Sequence, residues 1–314
     1  MQKLLVLSNL PQISILIPAK NAAATIHIAI EDAIKQTLVD WHIIIANDGS
    51  TDETQTVIES YQQYTDKITV LQIPQPGGIV AGRNALLKAV QTPYLAWLDA
   101  DDGWPRADKL IKQIAFLEKH KDHALVGDGK VNGVFLENLK QKTFSFPLLN
   151  EDVQLRLLFK NAFIMSSLVA RTAMVKDIGF DEKMEYLEDY VWVQTVASKY
   201  KVANMVLKGT LHFISTPKKQ QEKDTHYQVY EKEALLLANA LKTYGIDIKK
   251  EEAKLLSYFV RRNKKLNVQD YSLLKATLFS IKESLINKGF KKAVLEGFFF
   301  DIQWRAWRCR YLYF

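Results

Sequence analysis

Cysteine occurs once, as Cys309, so an internal disulfide is excluded and the chain is compatible with a reducing compartment. Long apolar runs are lacking as well. Nothing approaches the roughly 20 apolar residues that a helix needs to cross a bilayer. The opening segment, Met1 to Leu10, has neither a sustained apolar core nor a small-residue cleavage site, and reads poorly as a secretory signal. These gaps predict a protein on the cytoplasmic side of any membrane it meets. Low-complexity tracts and internal repeats are missing, and the composition is that of a soluble globular protein. Glycine is absent from the turn Pro18-Ala19-Lys20-Asn21-Ala22, which follows the first strand-like run. A dinucleotide pyrophosphate needs glycines there for close backbone approach, so this turn argues against NAD.

What is present is long enough, at 314 residues, for one large domain and a smaller one. Apolar runs at residues 13–18, 41–46, 69–73 and 94–98 read as strands. Residues 22–37, 79–90 and 105–120 have helical spacing, and Ser50 with Glu53 has the spacing of a capping box, predicting a helix that continues towards Tyr64. Further on, residues 124–135 read as one or two strands, 150–160 as a helix and 166–170 as a short strand. A helix is predicted from near Asp189, and residues 202–207 are strand-like. Strands alternating with helices predict an α/β fold with a parallel sheet and right-handed crossovers. Beyond residue 217 the pattern is mostly helical. Of the net charge of +7, residues 218–314 hold 20 Lys/Arg against 11 Asp/Glu, which leaves residues 1–217 slightly acidic. The basic character belongs to the C-terminal lobe and points to an anionic surface or polymer as its partner.

One stretch organises the rest. The apolar run Tyr94 to Leu98 ends in Asp99, Asp101 and Asp102. In open α/β sheets ligands sit beyond the carboxyl ends of the strands, where these acids fall. Three close carboxylates repel one another, and a divalent cation shared with substrate phosphates is the natural relief. A solvated acidic turn with Asp101 or Asp102 capping the next helix is the plainer reading.

Together with Asn47-Asp48-Gly49-Ser50-Thr51-Asp52, this segment resembles the family 2 glycosyltransferases of GT-A fold. Three other stretches agree in order and approximate spacing. They are Ile15-Leu16-Ile17-Pro18-Ala19-Lys20-Asn21, Gly82-Arg83-Asn84, and Gly179-Phe180-Asp181 followed by Glu188-Asp189. The resemblance covers about residues 13–215. It implies a Rossmann-like mixed sheet with flanking helices over 1–217, followed by the basic helical lobe 218–314, and transfer of a sugar from a nucleotide-diphosphate donor with inversion. By the same resemblance Pro18, Ala19 and Asn21 line the nucleotide pocket, Asp48 binds the base, typically uracil, and Asp99 the ribose. Asp101 would ligate Mn²⁺ or Mg²⁺ with help from Asp102, Arg83 would lie near the nucleotide or order the acids, and His212 is the best-placed late histidine for an extra metal ligand. Inversion by direct displacement needs a base on the acceptor side. Asp189 is assigned that role, with Glu188 as the neighbour that orients or replaces it. A helix N-terminus favours acids there in any case. His27, within the first helix, is read as a packing or surface residue.

Two departures bear on function. Asn47 stands where many family members have an aspartate, and an amide can still donate and accept hydrogen bonds. The Gln-x-x-Arg-Trp pattern associated with processive members is missing, which argues for adding one sugar or a few. Residues 251–288 read as a helical bundle. At the C-terminus Phe300, Trp304, Trp307, Tyr311 and Phe314 recur on one helical face, with Arg305, Arg308 and Arg310 away from its centre. That pattern suits a helix lying in an anionic membrane interface. The alternative is packing on the catalytic domain or on a second copy of the chain, a homodimer. No nucleic-acid-binding module accompanies the basic lobe. The expected activity is therefore non-processive transfer from a UDP-sugar to a glycan or lipid-linked acceptor, as in surface polysaccharide or lipooligosaccharide assembly. The competing readings are a nucleotidyltransferase of similar fold and a degenerate, non-catalytic glycan-binding or scaffold subunit.

Overall fold

The computed structural model describes residues 13–38, 40–64, 66–73, 77–184, 186–214, 222–262, 268–292, 295, 296 and 299. They fall into two compact units, one of Met1–Val153 with Ala162–Thr216, the other of Gln154–Asn161 with Pro217–Phe314. The second unit takes residues 154–161 from the middle of the first because Leu155 and Leu158 share an apolar cluster with its helices.

In the first unit β1 (Ile13–Ala19), α1 (Ile26–Ile34), β2 (Trp41–Asn47), α2 (Thr54–Glu59), β3 (Ile68–Gln72), α3 (Gly78–Ala89) and β4 (Tyr94–Trp97) follow in alternation. β1 and β4 are buried along their whole length, as their unbroken apolar sequence requires. Then come α4 (Lys109–Lys119), β5 (His123–Asp128), β6 (Lys130–Phe135), β7 (Gln141–Ser145), α5 (Asn150–Leu157), β8 (Val169–Arg171), α6 (Thr172–Val175), α7 (Glu188–Lys199), β9 (Lys201–Met205) and β10 (Thr210–Ile214). Seven strands form one sheet in the order β3-β2-β1-β4-β8-β5-β9, and β10-β6-β7 form a second. The pairs β1–β2, β2–β3, β1–β4 and β5–β9 are parallel, whereas β8 runs antiparallel to both β4 and β5. The sheet is therefore mixed. Alternation of strand and helix carries no signal for β8, which a 3₁₀ turn at Met165–Ser167 introduces instead of a crossover helix.

Since β5 is antiparallel to β8 and β8 to β4, the carboxyl ends of β1, β2, β4 and β5 share one edge, and the acids after β4 lie on it. β10 is fastened to the loop after β4 by a two-way bridge, Gly103 N to Leu211 O (2.9 Å) and Leu211 N to Gly103 O (2.8 Å). Gly103 has to be small, because a Cβ there would stand 2.9 Å from Asp32 Oδ2. The capping box at Ser50 and Glu53 does not form. α2 begins at Thr54, whose N–H is accepted by Asp52 Oδ1, while Ser50 Oγ accepts the Asn21 N–H. Those side chains are spent on holding the turn after β1, and the helix is shorter for it.

In the second unit α8 (Glu222–Thr243), α9 (Lys250–Arg262) and α10 (Val268–Asn287) bury one apolar stripe each. Leu274, Leu278, Ile281 and Leu285 step along α10 at the helical repeat. Among the described residues no helix is long and apolar enough to cross a membrane. The aromatic segment 300–314 and the run 263–267 lie outside the described residues.

Candidate active site

The edge after β1, β2 and β4 opens into a cleft of about 360 Å³ lined by Pro18, Ala19, Asn21, Asp48, Arg83, Asp99 and Asp101 among others. Asn21 adopts a left-handed φ of 50°, which asparagine tolerates better than most residues. Its Oδ1 accepts the Thr51 N–H at 2.8 Å, so the turns after β1 and β2 clamp each other. Asp48 is buried on the cleft wall and accepts from Gly77 N (2.9 Å), Gly78 N (3.0 Å) and Lys20 Nζ (2.9 Å), tying the start of α3 to β2.

Arg83 is the hinge of the arrangement. Fully buried on α3, it donates from Nη2 to Asp99 Oδ1 (3.0 Å) and from Nη1 to Glu188 Oε1 (2.6 Å). Its neighbour Asn84 clamps the Phe180 backbone from both sides, Nδ2 to O at 2.9 Å and Oδ1 from N at 2.8 Å. The Phe180 ring stacks on Trp192 of α7 at 5.3 Å and meets Trp97 of β4 edge-on at 5.5 Å. Trp192 Nε1 donates to Ile178 O at 2.6 Å. These contacts explain why a segment almost a hundred residues downstream arrives beside the acids after β4. Leu187, just before α7, sits at φ 65°, a costly conformation for a leucine that sets Glu188 and Asp189 on the first turn of the helix.

The two acids differ. Glu188 is bound to Arg83, whereas Asp189 Oδ1 accepts the Tyr190 N–H at 2.7 Å. Burial pushes both carboxyls above the usual carboxylate range, although the Arg83 charge opposes it in each case. Asp101 is exposed at the cleft, yet loss of surrounding water and the charges of Asp102 and Asp99 push its carboxyl up to about 6.

Asp102 is fully buried and is not among the residues that line this cleft. Its carboxylate already accepts from Ser166 Oγ (2.5 Å), Phe213 N (3.1 Å) and His212 Nδ1 (2.9 Å). Ser166 Oγ in turn accepts the Asp99 N–H at 3.0 Å. A neutral imidazole that donates from Nδ1 to Asp102 keeps its lone pair on Nε2. Burial alone would lower the imidazole, but the hydrogen bond and charge of Asp102, with Asp99 and Asp101, carry it above its ordinary value. Ser166 opens the run 166–170 that reads in the sequence only as a short strand, and Phe213 belongs to no stretch singled out there. A serine and a backbone N–H give no pattern to read.

The family model for "Glycosyl transferase family 2" matches residues 14–175. The chain belongs to glycosyl transferase family 2. This family 2 chain is 29% identical over 243 residues to the UDP-Glc:alpha-D-GlcNAc-diphosphoundecaprenol beta-1,3-glucosyltransferase WfaP of Escherichia coli, a match over 74% of the chain and 87% of WfaP. Matches to two Bacillus subtilis glycosyltransferases span only 42% and 43% of those proteins. In fold it is similar to residues 1–349 of S. aureus TarS, solved in complex with UDP (TM-score 0.58, 16% identity, 95% of this chain and 89% of that one). It is also similar to the mannosyltransferase PcManGT of Pyrobaculum calidifontis, solved with GDP-Man and Mn2+ (TM-score 0.54, 14% identity, 96% and 86%). The fold of the family 2 chain is GT-A.

Members of this class commonly use a divalent cation. Among the described residues no three His, Cys, Asp or Glu side chains form a ready set of ligands. The carboxylates on the cleft lining would leave most positions of such an ion open to further oxygen ligands, such as those of a phosphate. Excess negative charge at Asp101 and an imidazole oriented by a buried carboxylate fit such an ion.

Proposed function

We propose that this family 2 chain transfers a single sugar, with inversion, from a UDP-sugar to a glycan or lipid-linked acceptor in surface polysaccharide or lipooligosaccharide assembly. The observation that supports the reading is the Arg83 bridge, which joins Asp99 on the cleft lining to Glu188, the neighbour of Asp189. In this reading Pro18, Ala19, Asn21 and Asp48 receive the nucleoside, and Asp99 the ribose. Asp101 and His212 would hold Mn²⁺ or Mg²⁺, which would supply positive charge to offset that of the departing diphosphate. Asp189 takes the proton of the attacking hydroxyl as the new bond forms. Glu188, held by Arg83, keeps the first turn of α7 facing the cleft. WfaP, whose name gives UDP-Glc as donor and a diphosphoundecaprenol as acceptor, supports this choice of substrates.

The test is a panel of UDP-, GDP- and TDP-sugars incubated with purified protein and Mn²⁺, with release of free nucleoside diphosphate as the readout. Release from at least one UDP-sugar, abolished by EDTA, is the expected result. A panel without metal-dependent release would favour a non-catalytic glycan-binding subunit.

The location proposed is the inner face of the cytoplasmic membrane, with the aromatic and arginine residues of 300–314 in the interface. Removing residues 297–314 is expected to release the protein from vesicles containing anionic lipid. Equal sedimentation of the full and shortened chains would turn attention to a protein partner, including a second copy.

A further inference from the structure

Behind the cleft lies a set of buried polar groups to which the transfer chemistry gives no role. Lys109 of α4 and Asp128 at the end of β5 are both fully buried, with Nζ 3.8 Å from Oδ1, and neither lines the cleft. Burying such a pair strips both ions of water, and the pair is weak evidence for stability in itself. Its hydrogen bonds show what it holds. Lys109 Nζ donates to Gln113 Oε1 (2.6 Å) and to the Ser167 carbonyl (3.1 Å), and Gln113 Nε2 donates to that same carbonyl (2.8 Å). The ammonium also faces the Trp104 ring at 4.8 Å, and Trp104 Nε1 donates to Ser166 O at 2.7 Å.

On the other side, Asp128 Oδ2 accepts from Gly209 N (3.1 Å) and Thr210 Oγ1 (2.7 Å). The approach depends on glycine, since a Cβ at Gly209 would stand 3.0 Å from Lys109 Cγ and 3.2 Å from Asp128 Oδ2. One end of the pair therefore grips the 3₁₀ turn that carries Ser166, and the other grips the start of β10, two residues before His212. Ser166, His212 and Phe213 are the groups that hold Asp102.

We propose that the buried Lys109–Asp128 pair is a positioning device for His212, setting β10 and the Ser166 turn against the loop after β4 so that Asp102 presents the imidazole to the cation. The inference rests on the reading of Asp101 and His212 as cation ligands. Thr210→Val removes the hydroxyl that joins Asp128 to β10 at nearly constant volume. Asp128→Asn keeps the shape of the side chain and removes the charge facing Lys109.

The experiment is titration calorimetry of Mn²⁺ into UDP-saturated protein, with UDP affinity measured separately without metal. Each variant is expected to weaken Mn²⁺ binding about tenfold, as loss of outer-shell partners of a metal site does, and to leave metal-free UDP affinity unchanged. On a His212→Ala background neither substitution should weaken Mn²⁺ binding further, a non-additivity that a general loss of stability would not produce. Should Asp128→Asn fail to fold, Thr210→Val carries the same test. Wild-type Mn²⁺ affinity in the folded variants, or equal losses with and without His212, would overturn the positioning role while Asp101→Ala still lost the ion. Undiminished Mn²⁺ binding by Asp101→Ala would remove the cation reading itself, and this inference with it.

Discussion

Asp189→Asn is expected to bind UDP as the wild-type chain does and to lose sugar transfer by about 10²–10⁴-fold, the range a positioned general base contributes. The substitution preserves shape, and the amide oxygen can still accept the Tyr190 N–H, so the first turn of α7 stays in place. What is lost is the capacity to take a proton. Glu188 is a poor substitute, since its carboxylate is held by Arg83 at 2.6 Å and releasing it would leave a buried guanidinium short of a partner. Burial raises the Asp189 carboxyl above the ordinary aspartate value. The base works only when ionised, so wild-type turnover should fall as pH drops through that raised value, with its acidic limb above where a solvated aspartate would put it. Steady-state kinetics with the donor found in the panel check both points. Turnover within threefold of wild type in Asp189→Asn would move the base to another residue.

The strands that build the cleft were legible because each is a short apolar run closed by a turn signal, and burial on both faces demands that pattern. The charged residues at their ends are legible too, because they come in a fixed order along the chain. Arg83 and Asn84 were marked as a pair, but their work is not in their spacing. One joins two carboxylates 89 positions apart, Asp99 and Glu188, and the other clamps the backbone of Phe180. Long-range partners of this kind follow from tertiary packing, here the stack of Phe180 on Trp192 against Trp97. Asp102 was grouped with its neighbours by sequence adjacency. In the structure Asp101 lines the cleft, while Asp102 is buried and bound to His212. β7 and β10 escaped notice. β7 is an exposed, polar edge strand, and β10 is short and half-buried, so neither gives a sustained apolar run. Ser50 and Glu53 misled because the hydroxyl that would cap a helix is taken by the Asn21 N–H.

Asp101→Ala is expected to abolish the gain in UDP affinity that Mn²⁺ gives the wild-type chain, leaving metal-free UDP binding as it was. Its effect on stability should reverse sign with the ion. In the metal-free protein the Asp101 carboxyl titrates at about 6, against 3.8 for the same group in water. The folded state thus holds this proton more tightly than the unfolded state does. The stability that the group contributes is present below pH 3.8 and is lost as pH rises through about 6. At pH 7 without metal the wild-type chain carries an ionised Asp101 against Asp99 and Asp102, and the alanine variant should melt no lower than it. On adding Mn²⁺ the wild-type melting temperature should climb, because an ion that binds only the folded state stabilises it by mass action, whereas the variant should hardly respond. Thermal melts with and without Mn²⁺ at pH 5 and pH 7 separate the cases, with the larger rise at pH 7, where no proton competes for the carboxylate. Equal Mn²⁺-induced shifts in the two proteins would mean that the cation, if it acts here, is held elsewhere than at the end of β4.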